Sequence, residues 1–158
     1  METTILGLSF STRMTGLAVF TSNSLIDYSL KLHKEIWSPQ KREMIITSLG
    51  SCVGNYTITS IALSIPDLHQ QTRGFRELKE AIECFAESHK IPVTLYPARE
   101  LYQRFGSPVK RTRNALMKRL VLLFPELSRF YEREQANRNK YYIKLFEAIA
   151  VGAYHLFE

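Results

Sequence analysis

The chain has 158 residues, of which 45% are hydrophobic and 23% charged, and its formal net charge is +6. These proportions are ordinary for a globular protein, and the length predicts one domain, residues 1–158, with a core of its own. No apolar run approaches the roughly 20 residues that a membrane span needs, and residues 1–8 do not resemble a signal peptide. We therefore expect a cytoplasmic protein with no membrane partner.

The first part of the chain predicts three consecutive strands. Residues 3–9 are rich in β-forming side chains, residues 11–13 are polar enough for a tight turn, and residues 16–22 return as a second strand. Residues 24–32 alternate apolar and polar side chains and predict a third strand. Such closely spaced strands indicate an antiparallel meander.

Helices and strands alternate in the next part. A helix is predicted over residues 39–51, which open with proline, and another over residues 74–88, whose apolar residues follow a spacing of three and four. Residues 57–65 form a β-branched run that predicts a central strand, and residues 91–96 predict a short one.

The last part predicts two helices. The first covers residues 112–124, and the second covers residues 141–157 and is apolar nearly all round, so it should be buried. The polar residues 132–140 between them predict a loop or hinge. The side chains expected to face inward from the first of these helices are Leu116, Leu120 and Leu123. The order β-β-β-α-β-α-β-α-α predicts an α/β fold whose mixed sheet starts with an antiparallel three-strand meander and carries helices on both faces.

Basic residues are concentrated in one segment. Between residues 99 and 119, seven basic residues stand against one acidic residue, so the local excess equals that of the whole chain. Concentrated positive charge favours a polyanionic partner over simple solubility. Both cysteines, Cys52 and Cys84, lack metal-binding spacing and are expected to be free thiols.

Three segments resemble the RuvC group of Holliday-junction resolvases in the RNase H-like superfamily. That family opens with a strand, Asp-Pro-Gly, a short turn and Thr-Gly; here Ser9, Phe10 and Ser11 precede Thr15 and Gly16 at the same spacing. Its last helix carries an acid followed eight residues later by histidine. Here that helix reads EAIAVGAYH, from Glu147 to His155. Between them, residues 96–125 resemble the family's strand, basic loop and amphipathic helix.

The resemblance implies a catalytic site that this chain lacks in large part. Such nucleases use four carboxylates to hold two divalent metal ions, Mg²⁺ or Mn²⁺. The corresponding positions here are Ser9, Ser64, Lys144 and Glu147, so three of the four acids are replaced. Lys144 lies three residues before Glu147 and can form an ion pair with it. We therefore predict a catalytically inactive protein that needs no cofactor, with Mg or Mn as the ion if any activity survives.

An active nuclease with relocated ligands is the alternative. Glu147 would then act with Asp67, which otherwise suits a helix cap or turn, or with Asp27 on the third strand. The histidines at 33, 69, 89 and 155 form no metal-binding pattern. His155, near the end of the last helix, is expected to interact with the helix dipole.

The candidate nucleic-acid-binding residues cluster around one helix start. Arg111, Asn114 and Lys118 share one stripe of that helix, and such groups suit backbone phosphates. The complete set of candidates is Arg13, Arg73, Lys110, Arg111, Arg113, Asn114 and Lys118. Arg13 and Arg73 are expected in turns.

The expected partner is nucleic acid, with DNA favoured over RNA, and the resemblance also implies a homodimer. A third hypothesis is a protein-interaction scaffold without nucleic acid. It depends on the aromatic residues Phe130, Tyr131, Tyr141 and Tyr142, which surround a polar tract and could either form an assembly surface or complete the core.

Overall fold

A computed structural model describes residues 3–106, 112–137 and 141–157. Its centre is a five-stranded sheet with strand order β3-β2-β1-β4-β5. The strands are β1 (Thr4–Phe10), β2 (Met14–Thr21), β3 (Ser24–Leu32), β4 (Ser60–Ile65) and β5 (Val93–Pro97). Strands β1, β2 and β3 are antiparallel neighbours, whereas β4 is parallel to both β1 and β5. The predicted mixed sheet that begins with a meander is therefore confirmed.

Helices cover both faces of this sheet. They are α1 (Pro39–Tyr56), α2 (Arg73–Ser88), α3 (Ala98–Phe105), α4 (Arg113–Leu123), α5 (Ser128–Ala136) and α6 (Ile143–Phe157). Two short 3₁₀ helices, Leu68–Gln70 and Pro125–Leu127, precede α2 and α5. Alternate β1 residues serve different layers: Leu6 and Leu8 pack with α1 and α2, and Ile5 packs with α3, α4 and α6. The expectation of helices on both faces is confirmed.

Helix α6 lies unusually close to the sheet because glycines line the contact. A Cβ atom added to Gly7 would lie 2.3 Å from the Ala148 carbonyl oxygen, and one added to Gly16 would lie 2.1 Å from that of Lys144. On the helix side, Gly152 faces the ring of Phe20 in the same way. This close approach positions the first turn of α6 over β1 and β2, which brings Lys144 and Glu147 towards the strand ends.

The functional geometry is set at one end of the sheet, which we call the carboxyl edge because β1, β4 and β5 all finish there. Helix α3 begins directly after β5, and α2 begins soon after β4. Gly74 in the first turn of α2 lies against Thr12 of the β1–β2 turn. The carboxyl edge of parallel strands is the usual location of ligand sites in open α/β sheets.

Several predicted boundaries were wrong. Helix α1 continues to Tyr56 instead of ending at 51, because Val53 extends its buried stripe, and β4 starts at Ser60 instead of 57. Helices α3 and α5 were not predicted as helices, and α5 includes residues 132–136 of the expected loop. Residues 138–140 lie outside the described residues.

The prediction that Leu123 faces the core was also wrong. Leu123 is 46% exposed, whereas Met117 takes the inward position together with Leu116 and Leu120. The expected turn position of Arg13 is confirmed, but Arg73 is the first residue of α2. Within the described parts of the chain, no helix has the length and apolar character that crossing a bilayer requires.

Candidate functional site

A cleft opens at the carboxyl edge, and it is lined by all four positions that the sequence resemblance compares with the family's carboxylates. Ser9 comes from β1, Ser64 from β4, and Lys144 and Glu147 from the start of α6. Both serines alternate onto the α6 face of their strands and are almost completely buried, at 1% and 3% exposure. The cleft has a volume of about 390 Å³, and its other lining residues are Pro66, Gln70, Ala98, Tyr102, Thr112 and Arg113.

The carboxylate of Glu147 is the centre of a hydrogen-bond network. Its Oε1 accepts hydrogen bonds from Ser9 Oγ at 3.0 Å and from Lys144 Nζ at 3.2 Å. Its Oε2 accepts one from the Tyr102 hydroxyl at 2.7 Å. Glu147 is only 6% exposed, so these partners replace the water that would otherwise solvate its charge. The expected Lys144–Glu147 pair is present, with a salt-bridge distance of 3.2 Å.

Tyr102 is held in its neutral, hydrogen-bond-donating form. Burial, followed by the negative charge of Glu147 and the hydrogen bond to it, raises the pKa of the Tyr102 hydroxyl far above its ordinary value. The Arg113 guanidinium acts on that pKa in the opposite direction, which places its charge beside the same hydroxyl. Arg113, Tyr102 and Glu147 are therefore linked from the start of α4 to the start of α6.

These residues do not fit a divalent metal ion. Mg²⁺ and Mn²⁺ need several hard oxygen ligands, usually including carboxylates, and a neutral hydroxyl is a poor substitute. Among the described residues that line the cleft, Glu147 is the one acid; both of its oxygens are already hydrogen-bonded, and one partner is an ammonium group that would repel a cation. Among the described residues, no three His, Cys, Asp or Glu side chains are grouped as metal ligands would be.

The two acids considered as relocated ligands lie elsewhere. Asp27 accepts a hydrogen bond from the Tyr56 hydroxyl of α1, at 2.5 Å, and so belongs to the opposite face of the sheet from Glu147. Asp67 precedes the 3₁₀ helix at the carboxyl edge, where its carboxylate lies 4.0 Å from Arg99. It occupies a cap position, but its side chain makes no capping hydrogen bond.

His155 lies in the last turn of α6, the position that the prediction of a helix-dipole interaction requires. Its Nδ1 is joined to the Tyr96 hydroxyl by a hydrogen bond of 2.6 Å, and its Nε2 lies 3.4 Å from Ser60 Oγ. Burial lowers the pKa of His155, which favours the neutral imidazole. Of the two cysteines, Cys84 is exposed and Cys52 half-buried, and both are free thiols as predicted.

The basic candidates divide into three groups. Arg113 lines the cleft and is exposed, and Arg13, Arg73 and Lys118 are exposed without lining it. Asn114 is exposed too, but its Oδ1 accepts hydrogen bonds from Tyr131 and Gln135 of α5, so part of its side chain has a structural role. Lys110 and Arg111 lie outside the described residues.

The aromatic residues considered as an assembly surface pack against the protein itself. Phe130, Tyr131 and Tyr142 are partly buried against the core that surrounds α6. Phe130 also makes edge contacts with Tyr28 and Tyr142, and Tyr141 makes one with Tyr142. This arrangement favours the interpretation that these side chains complete the core.

Sequence reasoning missed Tyr102, which supplies the shortest hydrogen bond to Glu147, as well as Gln70 and Thr112 in the cleft lining. Tyr102 lies on the unpredicted helix α3, 45 positions from its partner. The buried pair Leu101 and Phe105, four residues apart, was the signal that could have revealed that helix.

Comparison with known proteins agrees with this geometry at the level of the fold. No family model matches the chain, and no curated protein sequence does. Two solved structures of Thermus thermophilus RuvC match nearly the whole chain. The structure in complex with a Holliday junction substrate has a TM-score of 0.70 at 13% identity, covering 98% of this chain and 93% of that one. A second RuvC structure has a TM-score of 0.71 at the same identity and coverage.

The chain therefore has an α/β fold of the RNase H-like class. Within that class its arrangement is RuvC-like, as the sequence resemblance predicted.

Proposed function

We propose that this protein binds nucleic acid at the carboxyl edge of its sheet and does not cleave it by the metal-dependent chemistry of RuvC-like nucleases. The observation that carries the proposal is the state of Glu147. Its carboxylate is buried and hydrogen-bonded by Ser9, Lys144 and Tyr102 at the place where the resemblance implies metal ions.

The binding half of the proposal is supported by the fold and by charge. One of the matching RuvC structures is a complex with a Holliday junction substrate. In the present chain, Arg113 lines the cleft, Arg13 and Arg73 are exposed in the β1–β2 turn and at the start of α2, and Lys118 is exposed on α4. Exposed cations at helix starts suit the phosphate backbone, which dominates nucleic-acid affinity without giving sequence specificity.

The inactive half is supported by the donor set. Two-metal hydrolysis needs carboxylates that hold both ions and leave room for the attacking water. Here two neutral hydroxyls and one ammonium group stand at three of the four positions, and Asp27 lies on the other face of the sheet. A relocated-ligand nuclease is therefore the less favoured alternative.

We also propose a single domain over residues 1–158 and DNA as the preferred nucleic acid, while the homodimer and the cytoplasmic location stay predictions.

Fluorescence anisotropy tests the proposal directly. A labelled four-way DNA junction and a linear duplex of the same sequence are titrated with the protein in EDTA at several salt concentrations. We expect binding that weakens steeply with salt and favours the junction, and a slope of log affinity against log salt that falls by about one for each lost phosphate contact.

Matched variants locate the surface. The triple substitution Arg13→Gln, Arg73→Gln and Lys118→Gln should weaken binding and flatten the salt slope. Lys90→Gln removes an exposed charge beyond the end of α2, at the opposite end of the sheet, and should leave binding unchanged. Absence of binding to either DNA at low salt contradicts the proposal, and junction cleavage that starts when Mg²⁺ or Mn²⁺ is added contradicts its inactive half.

A further inference from the structure

Lys144 forms an ion pair with Glu147, yet part of its side chain stays open to the cleft. Its side chain retains 24% exposure, against 8% for Glu147, and it lines the cleft rather than the protein surface. Arg113 lines the same cleft, so two cationic groups there accompany one carboxylate. The described lining of the cleft therefore carries a net positive charge, and the one carboxylate in it already has hydrogen-bond partners at both oxygens.

Neutral hydrogen-bond donors complete the lining. Ser64 is 97% buried, since only 3% of it is exposed, and its hydroxyl makes no hydrogen bond within the parts of the chain that the structure describes. The hydroxyl oxygen itself reaches the open space of the cleft, so a ligand there can accept its hydrogen bond. The exposed side chain of Gln70 contributes an amide to the same wall.

The start of helix α4 adds a further attraction. Thr112 caps this helix because its Oγ1 accepts a hydrogen bond from the Ala115 amide, and both Thr112 and Arg113 line the cleft. The helix is 11 residues long, and the positive end of its dipole lies at this start and favours an anion. Together, Lys144, Arg113, Ser64 and this helix start converge from three separate elements.

We propose that the cleft binds one phosphate group without a metal ion, with the Lys144 ammonium supplying the positive charge. This inference rests on the proposed function, because a nucleic-acid backbone is the source of phosphate that the surrounding basic surface favours. An ammonium group and a guanidinium give charge-assisted hydrogen bonds to phosphate oxygens, and Ser64 donates a further bond. Glu147, held by its three donors, orients Lys144 and does not contact the phosphate.

The test is an NMR titration of the ¹⁵N-labelled protein with inorganic phosphate, in EDTA, with chloride adjusted to keep the ionic strength constant. We expect the amide signals of Ser9, Arg113 and Lys144 to shift saturably. Lys144→Gln should weaken phosphate binding about tenfold and Ser64→Ala about threefold, whereas Lys144→Arg should retain most of it. Lys90→Gln, remote from the cleft, should not change the affinity.

The spectra of the variants show whether each one is folded, so loss of binding is distinguishable from unfolding. If the shifts do not saturate, or if Lys144→Gln binds phosphate as tightly as the natural sequence does, the inference is wrong. A folded Lys144→Arg variant that loses binding completely would contradict the role of charge.

A second arm separates free phosphate from backbone phosphate. The same titration is repeated with the protein saturated by the four-way junction, and we expect the phosphate-induced shifts to disappear. If the junction binds but phosphate still saturates the cleft, the assignment to a backbone phosphate is overturned and the proposed function survives. If the junction does not bind at low salt, the proposed function fails, and the inference fails with it.

Discussion

Ser9 Oγ donates a hydrogen bond to Glu147 Oε1 at 3.0 Å, although the two residues are 138 positions apart. Ser9 occupies the strand position at which the RuvC-like pattern places an aspartate. Two carboxylates so close together would repel each other without a cation, whereas a hydroxyl and a carboxylate attract. A serine at this position is therefore chemically matched to the carboxylate of Glu147, and the Lys144 ammonium adds a further favourable contact to it.

The first prediction concerns this network. Glu147→Gln should lower the free energy of unfolding by about 2 kcal/mol, because it removes the charge that three buried or half-buried donors share. Urea denaturation measures the change.

A second ion pair of the same residue types provides the control. Lys79 and Glu83 are 2.9 Å apart on the outer surface of α2, where Glu83 is 40% exposed. Glu83→Gln should lower the free energy of unfolding by less than about 0.5 kcal/mol, because solvent screens the pair. Equal losses for the two variants would contradict the structural role assigned to Glu147.

Most of the fold was predictable because its central elements carry strong patterns. Strands β1 and β2 are short apolar runs, β3 alternates apolar and polar residues, α2 has a clear apolar stripe, and α6 is apolar over most of its surface. Helix α5 has no apolar stripe that the sequence could show. Its one buried residue is Glu134, and a glutamate in a sequence is normally interpreted as an exposed residue. In the site, the four positions that the resemblance singled out line one cleft, whereas Tyr102 depends on a tertiary contact that no local pattern records.

The second prediction concerns the close packing of α6 on the sheet. Gly16→Ala would place a Cβ atom 2.1 Å from the Lys144 carbonyl oxygen, so backbone must move. We expect a loss of about 1–3 kcal/mol in the free energy of unfolding, as overpacked cores usually show. Gly54→Ala in α1 is the control: its added Cβ meets nothing within 4 Å, and it should stabilise the protein by about 0.5–1 kcal/mol. A neutral Gly16→Ala would contradict this packing.

The third prediction concerns Glu134, which is 1% exposed and joins α5 to the start of α6. Its carboxylate accepts hydrogen bonds from the backbone amides of Tyr141 and Tyr142, at 2.7 and 3.1 Å. Glu134→Ala should lower the free energy of unfolding by about 1–2 kcal/mol, the range known for lost helix caps. Glu132→Ala, on the exposed face of the same helix, should have little effect. Hydrogen exchange at Tyr141 and Tyr142 should accelerate only in the first variant.

The fourth prediction is a dependence of stability on pH. Burial lowers the pKa of His155, and burial together with the charge of Lys41 lowers that of His33. The unfolded chain therefore binds more protons than the folded chain below the ordinary histidine value of about 6.5, and stability should fall as the pH decreases through that value. His155→Gln should reduce this loss between neutral and mildly acidic pH, measured by urea denaturation. A loss of the same size in His155→Gln and in the natural sequence would contradict the assignment of this pH dependence to His155.

The last prediction concerns a variant that carries the acids of the RuvC-like pattern at the site. In a variant with Ser9→Asp, Ser64→Glu and Lys144→Asp, four carboxylates would surround the cleft and repel one another, so the protein in EDTA should unfold at a lower temperature. Magnesium should then restore stability, by about 2.7 kcal/mol once its concentration reaches 100 times the dissociation constant. Differential scanning calorimetry in Mg²⁺, against an equal ionic strength of sodium chloride, measures this gain. Because the natural cleft presents an ammonium group and two hydroxyls, magnesium should not stabilise the natural sequence beyond the salt control. Equal stabilisation of both proteins by Mg²⁺ would mean that the natural cleft already binds the ion, and the proposal of an inactive site would be wrong.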